Sequence, residues 1–599
     1  MKKALSLLLC AALTLSLTAC GGQTAPQGTT QTEPQSGQQT EPTNQSEENV
    51  AQNWEGAVNI ELSDTEIKVD GQTASTDETA AVYVGAPIVY YEEGKDFTYG
   101  EGEEGDAHSA DEAAAHTVVT ITKPGIYVLR GKLSFGQVAV DLGKDAKEDP
   151  EAVVTLVLDG VDITCTVAPA VIFYNVYECG SDDADTATKD VDTSAAGANV
   201  YINGGTQNDI YGSYVARIYK PDSVVLSADG TEVEDAKKLH KYDAAFYSKM
   251  SMNVDGDNGG VLHINAENEG LDSELHLTIN GGNIYIISGN DGINTNEDGV
   301  SVTTVNGGEL TIRVAGTTGE GDGIDSNGWL VINDGTVVAT ACSRSMDAGI
   351  DSDMGIHIGA GATVIATGHM LDRIDGAGQN YAVFQFAATQ SGDKAIALRD
   401  ESGAEILNGT PMNDYSVLIY SSPSLTEGNY TLWSDGVQLG HSGAEGGGMM
   451  GGMPGGMGGF DPGSMELPEG FQPGNMDRFP GGMEMPEGME IPGGMERPEG
   501  MQMPEGMEIP EGMEQPQWGG NFDPGAMPQM PGNMQMPEGM EMPEGFDPSQ
   551  MGQMGGMPGG MGGRGDRNPG GMSAAAAEAQ FTIAGQENYF SGIGVLAAQ

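Results

Sequence analysis

Basic side chains are scarce in this sequence. Its 599 residues include 25 lysines and arginines against 88 aspartates and glutamates, giving a formal net charge of −63 at pH 7. Nucleic acid is therefore excluded as a partner, because phosphate contacts require Lys and Arg side chains. An acidic ligand can bind such a chain only through bridging cations or through a local basic patch.

Cysteine is also sparse, and the usual catalytic signatures are missing. Cys165, Cys179 and Cys342 are the cysteines beyond the first twenty residues, and none belongs to a CxxC pair. This odd number argues against a zinc site or a disulfide framework and leaves a single Cys165–Cys179 bridge open. The sequence contains no nucleophile elbow, HExxH motif or phosphate-binding loop.

Long apolar runs are missing except at the start of the chain. Lys2 and Lys3 precede an apolar run that ends at Leu17, and this pattern is typical of a secretion signal. The residues from Leu17 to Cys20 resemble a bacterial lipoprotein cleavage box. That resemblance implies lipidation of Cys20 and a lipid-anchored protein at the extracellular face of the bacterial cell membrane. An ordinary secreted protein is the alternative.

What the sequence does contain is an internal repeat between Gly270 and Gly368. The glycines that close its four turns, Gly282, Gly308, Gly335 and Gly361, are 26, 27 and 26 residues apart. A fixed period of this size indicates a solenoid. The copies are Gly270-Leu-Asp-Ser273, Asp291-Gly-Ile-Asn-Thr-Asn296, Asp322-Gly-Ile-Asp-Ser-Asn327 and Ala348-Gly-Ile-Asp-Ser-Asp353.

The residues around each turn select the kind of solenoid. Apolar residues alternate with polar ones just before and after the turns, which indicates short half-buried strands. Each repeat therefore offers three short strands, and stacked repeats would share one apolar interior. We predict an all-β, right-handed parallel β-helix. This sequence lacks the leucine and asparagine consensus of a leucine-rich repeat. Its repeats are also shorter than the blades of a β-propeller.

Stacked repeats would also align their acidic residues. If Ile293, Ile324 and Ile350 point inward, their polar neighbours point outward in two rows. Carboxylates held close together repel unless a hard cation such as Ca²⁺ neutralises them. The alternative is that Asp and Asn serve only as turn formers. The expected rows are Asp291, Asp322 and Asp347, and Asn294, Asp325 and Asp351.

Composition divides the chain into segments. Residues 446–572, rich in methionine, proline and glycine, are expected to be a long disordered insertion, because Pro and Gly are too dense for a helix or strand. A strand pattern then recurs, and it is expected to pair near Tyr430. The predicted segments are 1–20 (signal peptide), 21–52 (disordered stalk), 53–116 (N-terminal strands), 117–380 (β-helix), 381–445 (antiparallel C-terminal cap), 446–572 (insertion) and 573–599 (returning strand).

The central region resembles a family of clostridial carbohydrate-binding β-helix lipoproteins. The resemblance is carried by Gly125-Ile-Tyr-Val-Leu-Arg-Gly131, Val157-Leu-Asp-Gly-Val-Asp-Ile163, Asp243-Ala-Ala-Phe-Tyr-Ser-Lys249 and the Gly-Ile-Asp-Ser repeats. It implies a polysaccharide-lyase-like fold with calcium in the helix and binding of cellulose and acidic sugars. The metal ligands it implies are Asp272, Asp291, Asn294, Asp322, Asp325, Asp347 and Asp351.

Three functions remain open at this point. The first is a non-catalytic, calcium-containing, monomeric surface protein that binds polysaccharide, with acidic sugars such as polygalacturonate, and cellulose as a further candidate. The second is a calcium-dependent lyase, which needs a base beside the metal; Arg344 is the residue expected in that role. The third is a structural or adhesion protein whose methionine-rich tract contacts other surface components.

Overall fold

The structure, a computed structural model, describes residues 54–257, 259–445 and 578–596. Strands are almost the only regular secondary structure among its described residues, which confirms the all-β class. Cys20, the expected stalk and the methionine-rich segment 446–572 lie outside the described residues. Cys165, Cys179 and Cys342 are free thiols, so the Cys165–Cys179 bridge left open by the sequence is not formed.

Three ladders of mostly parallel strands make up the central region. Each ladder pairs a strand with its equivalent one repeat later, in register; Leu277, for example, is opposite Thr303, and Thr303 is opposite Leu330. The first ladder contains Val58–Leu62, Gly125–Leu133, Val154–Cys165, Ala198–Ile202, Met252–Gly256, His276–Ile279, Val302–Val305, Trp329–Ile332, Gly355–Ile358 and Ile374–Ala377.

The second and third ladders follow the same rule. The second contains the end of Val154–Cys165 and then Gln207–Gly212, Val261–Ala266, Asn283–Ser288, Glu309–Val314, Thr336–Thr340 and Thr363–Gly368. The third contains Val82–Val84, Thr117–Ile121, Gly136–Asp141, Val171–Asn175, Ala244–Ser248, Glu269–Ser273 and Ile293–Thr295, with Val82–Val84 antiparallel at its start.

The apolar residues of all three ladders meet in one core. Leu271, Ile293, Ile324 and Ile350 are fully buried at equivalent points of successive repeats. Burial of a side chain of this size stabilises the folded state by about 1.5–3 kcal/mol. Alternation within each strand places one residue in this core and the next on the outer face, so a row of inward isoleucines produces a row of outward polar residues.

The remaining N-terminal elements and the inserts are short. Helical turns occur at Glu104–Asp106, Ala110–Ala114, Ala146–Glu148 and Pro221–Ser223, and two small strands at Lys68–Val69 and Gln72–Thr73. Two polar inserts interrupt the repeats, the first from Gly180 to Ala198 and the second from about Gly212 to Lys241. The second polar insert contains strands. Val215–Tyr219 pairs with Lys238–Tyr242, and Val225–Leu226 pairs with Val233–Asp235.

The C-terminal strands enclose a separate core around Phe384, Phe581 and Phe590. Tyr430 lies opposite Phe581, so the final strands pair where the sequence pattern placed them. The pairings within 381–445 are antiparallel, as expected of the cap, whereas Glu587–Val595 in the returning segment runs parallel to Tyr381–Gln390. A parallel pair needs a long connection, which the intervening chain supplies. The other strands are Ile396–Arg399, Glu405–Gly409, Tyr415–Ser421, Gly428–Ser434, Val437–Gly440, Gly443–Glu445 and Phe581–Ile583.

Close stacking predicts a strong effect of a methyl group at Gly292. A side chain there would overlap both the Ile312 side chain and the carbonyl oxygen of Gly323, one repeat away. We expect Gly292→Ala to lower the free energy of unfolding by about 1–3 kcal/mol, as overpacking does in other cores. Gly409→Ala is the matched control, because its added methyl group meets no atom within 4 Å. Denaturant unfolding of both variants measures the difference, and equal stabilities would contradict the close stacking.

Candidate functional site

A cavity of about 1170 Å³ lies over the outer face of the third ladder. Its floor and walls include Glu269, Glu274, Asp291, Asn294 and Asp325, and we refer to it as the acidic cavity. Of the seven expected metal ligands, Asp291, Asn294 and Asp325 line it. Asp272 is fully buried behind this lining.

One row of expected ligands does stack. Asp272 is opposite Asn294 in the parallel register. The backbone N–H of Asp325 then donates to the carbonyl oxygen of Ile293 at 2.8 Å, and that of Asp351 to Ile324 at 2.8 Å. Asp272, Asn294, Asp325 and Asp351 therefore occupy equivalent positions on four successive repeats.

The other expected row departs from the prediction at Asp347. The carbonyl oxygens that accept from Gly270, Gly292 and Gly323 belong to Asp291, Asp322 and Ala348. The residue equivalent to Asp291 and Asp322 is thus Ala348, and Asp347 lies one position earlier. The same equivalence places Glu269 at this point of the first repeat, since it directly precedes Gly270. Glu269 was missed because the expected motif began at Gly270.

The aspartates of this second row hold the backbone of neighbouring repeats. Asp291 Oδ1 accepts from the N–H of Asp322 at 2.7 Å, and Asp322 Oδ1 accepts from the N–H of Ala348 at 2.5 Å. Asp347 Oδ2 accepts from the N–H of Gly321 at 2.5 Å. One oxygen of each carboxylate is therefore committed to fixing the turn, which is the structural use of Asp expected for turn formers.

Other buried oxygens near the cavity have no hydrogen-bond partner among the described residues. They are Glu269 Oε2, Asp272 Oδ2 and Asn294 Oδ1, and their side chains are 3%, 0% and 7% exposed. A buried acceptor without a partner costs about 1–3 kcal/mol, and a charged one costs more. Three such acceptors on two adjacent strands point to a ligand that supplies positive charge.

Burial raises the pKa of the carboxyl groups around this site. Desolvation raises the pKa of Asp291, Asp325 and Asp351 to about 7, and neighbouring carboxylates add to each shift. Desolvation raises the pKa of Asp322 to about 10. The pKa values of Glu269 and Asp272 are also raised well above the usual range, first by burial and then by nearby acidic groups. A bound cation would favour the charged forms of these groups and so lower their pKa values.

The oxygen atoms at this site are of the kind that binds a hard cation. Few carboxylates, however, lie close together. Within the described ranges, no three His, Cys, Asp or Glu side chains are close enough to hold one metal ion together. Ca²⁺ binds six to eight oxygens and accepts amide and backbone carbonyl oxygens as well as carboxylates. Glu269, Asp272 and Asn294 would hold it, with Asn296 next to them, since Asn296 Nδ2 donates to Asp272 Oδ1 at 2.8 Å.

Basic side chains line the same cavity. They are Lys147, Arg217, Lys238, Lys241 and Lys249, five of the 25 lysines and arginines in the whole chain. Lys241 forms a salt bridge with the buried Asp243, and Arg217 and Lys238 both pair with Glu101. Arg344, expected to act as a base if the protein is a lyase, is exposed and is not among the lining residues.

Most of this basic wall comes from the second polar insert. Arg217, Lys238 and Lys241 lie on the Val215–Tyr219 and Lys238–Tyr242 hairpin. Sequence reasoning missed this basic wall because the insert interrupts the repeat. The repeat pattern does not indicate over which face of the ladders an insert folds. The concentration of Lys in 237–249 was the available signal.

No helix among the described residues is long and apolar enough to cross a membrane. The lipid anchor expected at Cys20, which lies outside the described residues, stays a prediction.

Part of the chain is similar in sequence to proteins described as carbohydrate-binding. Residues 115–397 match the model of a family described as "Carbohydrate-binding domain-containing protein". A protein of the same description from Acetivibrio thermocellus is 30% identical over 169 residues, which cover 28% of this chain and 44% of that protein. The match thus spans less than half of the relative's length.

A solved structure is also similar to part of the chain. It is entitled "Structure of the polysaccharide lyase-like protein from C. thermocellum, Gadolinium derivative", and it is 19% identical with a TM-score of 0.26. The alignment covers 53% of this chain and 95% of that one. The similarity in sequence to carbohydrate-binding domains rests on the family match over residues 115–397.

Proposed function

We propose that this protein binds acidic polysaccharide, such as polygalacturonate, in the acidic cavity with the help of Ca²⁺ and without cleaving it. The proposal rests on one observation: the same cavity has buried oxygens without hydrogen-bond partners on its floor and basic side chains on its wall. A uronate polymer carries carboxylates at regular intervals. A cation held on the floor and lysines on the wall would attract such a polymer, although the chain as a whole is strongly acidic.

We also propose that the three ladders are the faces of a right-handed parallel β-helix. In-register parallel pairing at a spacing of 26 or 27 residues supports this. Lipidation at Cys20 would hold the domain at the extracellular face of the cell membrane, where such polymers occur. Cellulose remains a further candidate ligand of the same protein.

Removal of calcium should make stability depend on pH. In the metal-free protein, Asp291, Asp325 and Asp351 keep their protons up to about pH 7, whereas an unfolded Asp loses its proton near pH 3.9. Between these values the folded state binds more protons, so its stability falls as pH rises. We expect the Tm of chelator-treated protein to be lower at pH 7.5 than at pH 5.5.

Calcium should abolish this slope. At a free concentration a hundredfold above Kd, a ligand that binds only the folded state adds about 2.7 kcal/mol. Thermal unfolding followed by circular dichroism at both pH values, with chelator or with Ca²⁺, measures the effect. If the Tm at pH 7.5 does not change between chelator and Ca²⁺, the floor of the cavity does not bind the cation.

Binding of polygalacturonate should require both parts of the cavity. Glu269→Gln removes one floor charge while keeping the side-chain shape, so Ca²⁺ affinity should fall by about 10–100-fold, as loss of a supporting metal contact commonly does. Lys249→Gln should weaken polygalacturonate binding and leave Ca²⁺ binding unchanged. Titration calorimetry with Ca²⁺ alone and then with polygalacturonate separates the two effects.

Two matched variants control for charge. Glu309→Gln and Lys123→Gln change exposed residues outside the cavity and should bind both ligands as the unaltered protein does. If all four variants bind polygalacturonate equally, the glycan does not bind in the acidic cavity. If the unaltered protein retains no glycan, the structural or adhesion function becomes the better account.

Lyase activity is the second candidate, favoured by the Lys side chains beside the acidic floor. We nevertheless expect no unsaturated product after incubation with polygalacturonate and Ca²⁺, followed by ultraviolet absorbance. Lys241 is paired with Asp243, and Arg344 does not reach the cavity lining. Product formation would establish a lyase, and its loss in Arg344→Ala or in Lys249→Gln would identify the residue that supports proton removal.

A further inference from the structure

A second groove crosses the outer face of the first ladder. Its volume is about 760 Å³, within the range of small-molecule sites, and it is separate from the acidic cavity. Its floor consists of side chains in register on successive strands: Asn253, Thr278, Thr304, Val331 and His357, followed by Gly376. Five strand spacings of about 4.8 Å make this floor about 24 Å long.

An asparagine ladder borders the floor. Asn306 Nδ2 donates to Asn280 Oδ1 at 3.0 Å, and Asn333 Nδ2 donates to Asn306 Oδ1 at 2.9 Å. An amide has two N–H donors, and Asn306 and Asn333 each use one within the ladder, so each keeps one donor for a ligand. The ladder therefore offers hydrogen-bonding groups at every repeat.

The first polar insert forms one wall of this groove. Residues 189–194 line it, and buried Thr193 fastens them to the floor. Thr193 Oγ1 donates to Asn253 Oδ1 and is within hydrogen-bond distance of Thr278 Oγ1, both at 2.7 Å, and Asn253 Nδ2 donates to the carbonyl oxygen of Thr193 at 2.8 Å. The wall is thus attached to the ladder by the side chains of the first two floor positions.

The groove is nearly free of charge, unlike the rest of this acidic protein. The charged side chains among its described lining residues are Lys189, Asp190 and Asp192, all on the wall, and Lys189 pairs with Asp190 at 2.5 Å. Burial lowers the pKa of His357 and Lys189 lowers it further, so the imidazole is neutral at neutral pH. Asn253, Thr278 and Val331 are almost fully buried, so the accessible part of the floor consists mainly of Thr304 and His357.

We propose that this groove is a second carbohydrate site, which binds an uncharged, unbranched glycan lying across the strands. A sugar chain presents hydroxyl groups at its edges and C–H groups on its ring faces. Thr304 and the exposed asparagine ladder match the hydroxyl groups, and a ring face packs over the floor between Thr304 and His357. Repeating units of the glycan then follow the repeat of the ladder. An acidic glycan does not suit this floor, which has no cation to offer.

This inference rests on the proposed carbohydrate binding, and it is tested with Thr304→Arg in the full chain. Thr304 is half-buried at the middle of the floor, where a guanidinium occupies the space of a sugar ring. We expect cellohexaose or xylohexaose to bind about tenfold or more weakly to the variant, because a blocked pocket cannot bury the ligand. Thr311→Arg is the matched control, since Thr311 is also half-buried and faces outward on the second ladder.

Titration calorimetry with the neutral glycans and with polygalacturonate separates this inference from the proposed function. Thr304→Arg should lose neutral-glycan binding and keep polygalacturonate binding, whereas Glu269→Gln should do the reverse. Neutral-glycan binding should also survive chelator. If polygalacturonate binds and neither neutral glycan does, this inference is wrong and the proposed function stands. If Thr304→Arg and Thr311→Arg bind the neutral glycans equally, the groove is not the site.

Discussion

The constraint on which the structure depends is in-register parallel pairing between successive repeats. A parallel ladder places residue i directly beside its equivalent in the next repeat, about 4.8 Å away. A side chain on one repeat must therefore pack against the equivalent side chains of the repeats on both sides. Isoleucine meets this demand well, since Ile293, Ile324 and Ile350 stack as one buried column. Asparagine meets it too, because each amide can donate to the next.

Carboxylates meet the same constraint badly, and the chain handles them in two ways. In one column Asp291 and Asp322 each accept a hydrogen bond from a backbone N–H of the next repeat, and these hydrogen bonds stabilise the turns. In the adjacent column Asp272 and Asn294 retain buried oxygens without partners. Folding explains Asp291 and Asp322 in the first column, whereas Glu269 in that column also has a buried oxygen without a partner. The second is costly for folding, and that cost makes it the better candidate for a functional column.

The sequence predicted what repeats and little of what interrupts the repeat. The period, the inward isoleucines and the Asp272-to-Asp351 column could be read from the sequence, because side-chain direction follows strand alternation. The offset of Asp347 was readable in the same alignment, because Ala348 directly precedes Gly349 as Asp322 precedes Gly323. Glu269 was within reach of the same reasoning, because it precedes Gly270 as Asp291 precedes Gly292.

The basic wall lay beyond sequence reasoning for a physical reason. Its position depends on how a 30-residue insert folds back over the ladder, and that is decided by tertiary contacts such as those of Arg217 and Lys238 with Glu101. No local pattern records such contacts. Arg344 was chosen for its nearness in sequence to Asp347, but nearness along the chain does not place a side chain over a face of a stacked fold.

The inserts, more than the ladders, give the two outer faces their different chemistry. A bare ladder is a flat, regular surface, and it becomes a cavity or a groove only where an insert stands beside it. The insert that begins at Gly180 contributes Gly180, Ser181 and Asp182 to the acidic cavity and 189–194 to the neutral groove. The hairpin after Gly212 adds positive charge to the cavity alone. Because the repeats are held in register by their core, these walls can change in length and charge without disturbing the floor beneath them.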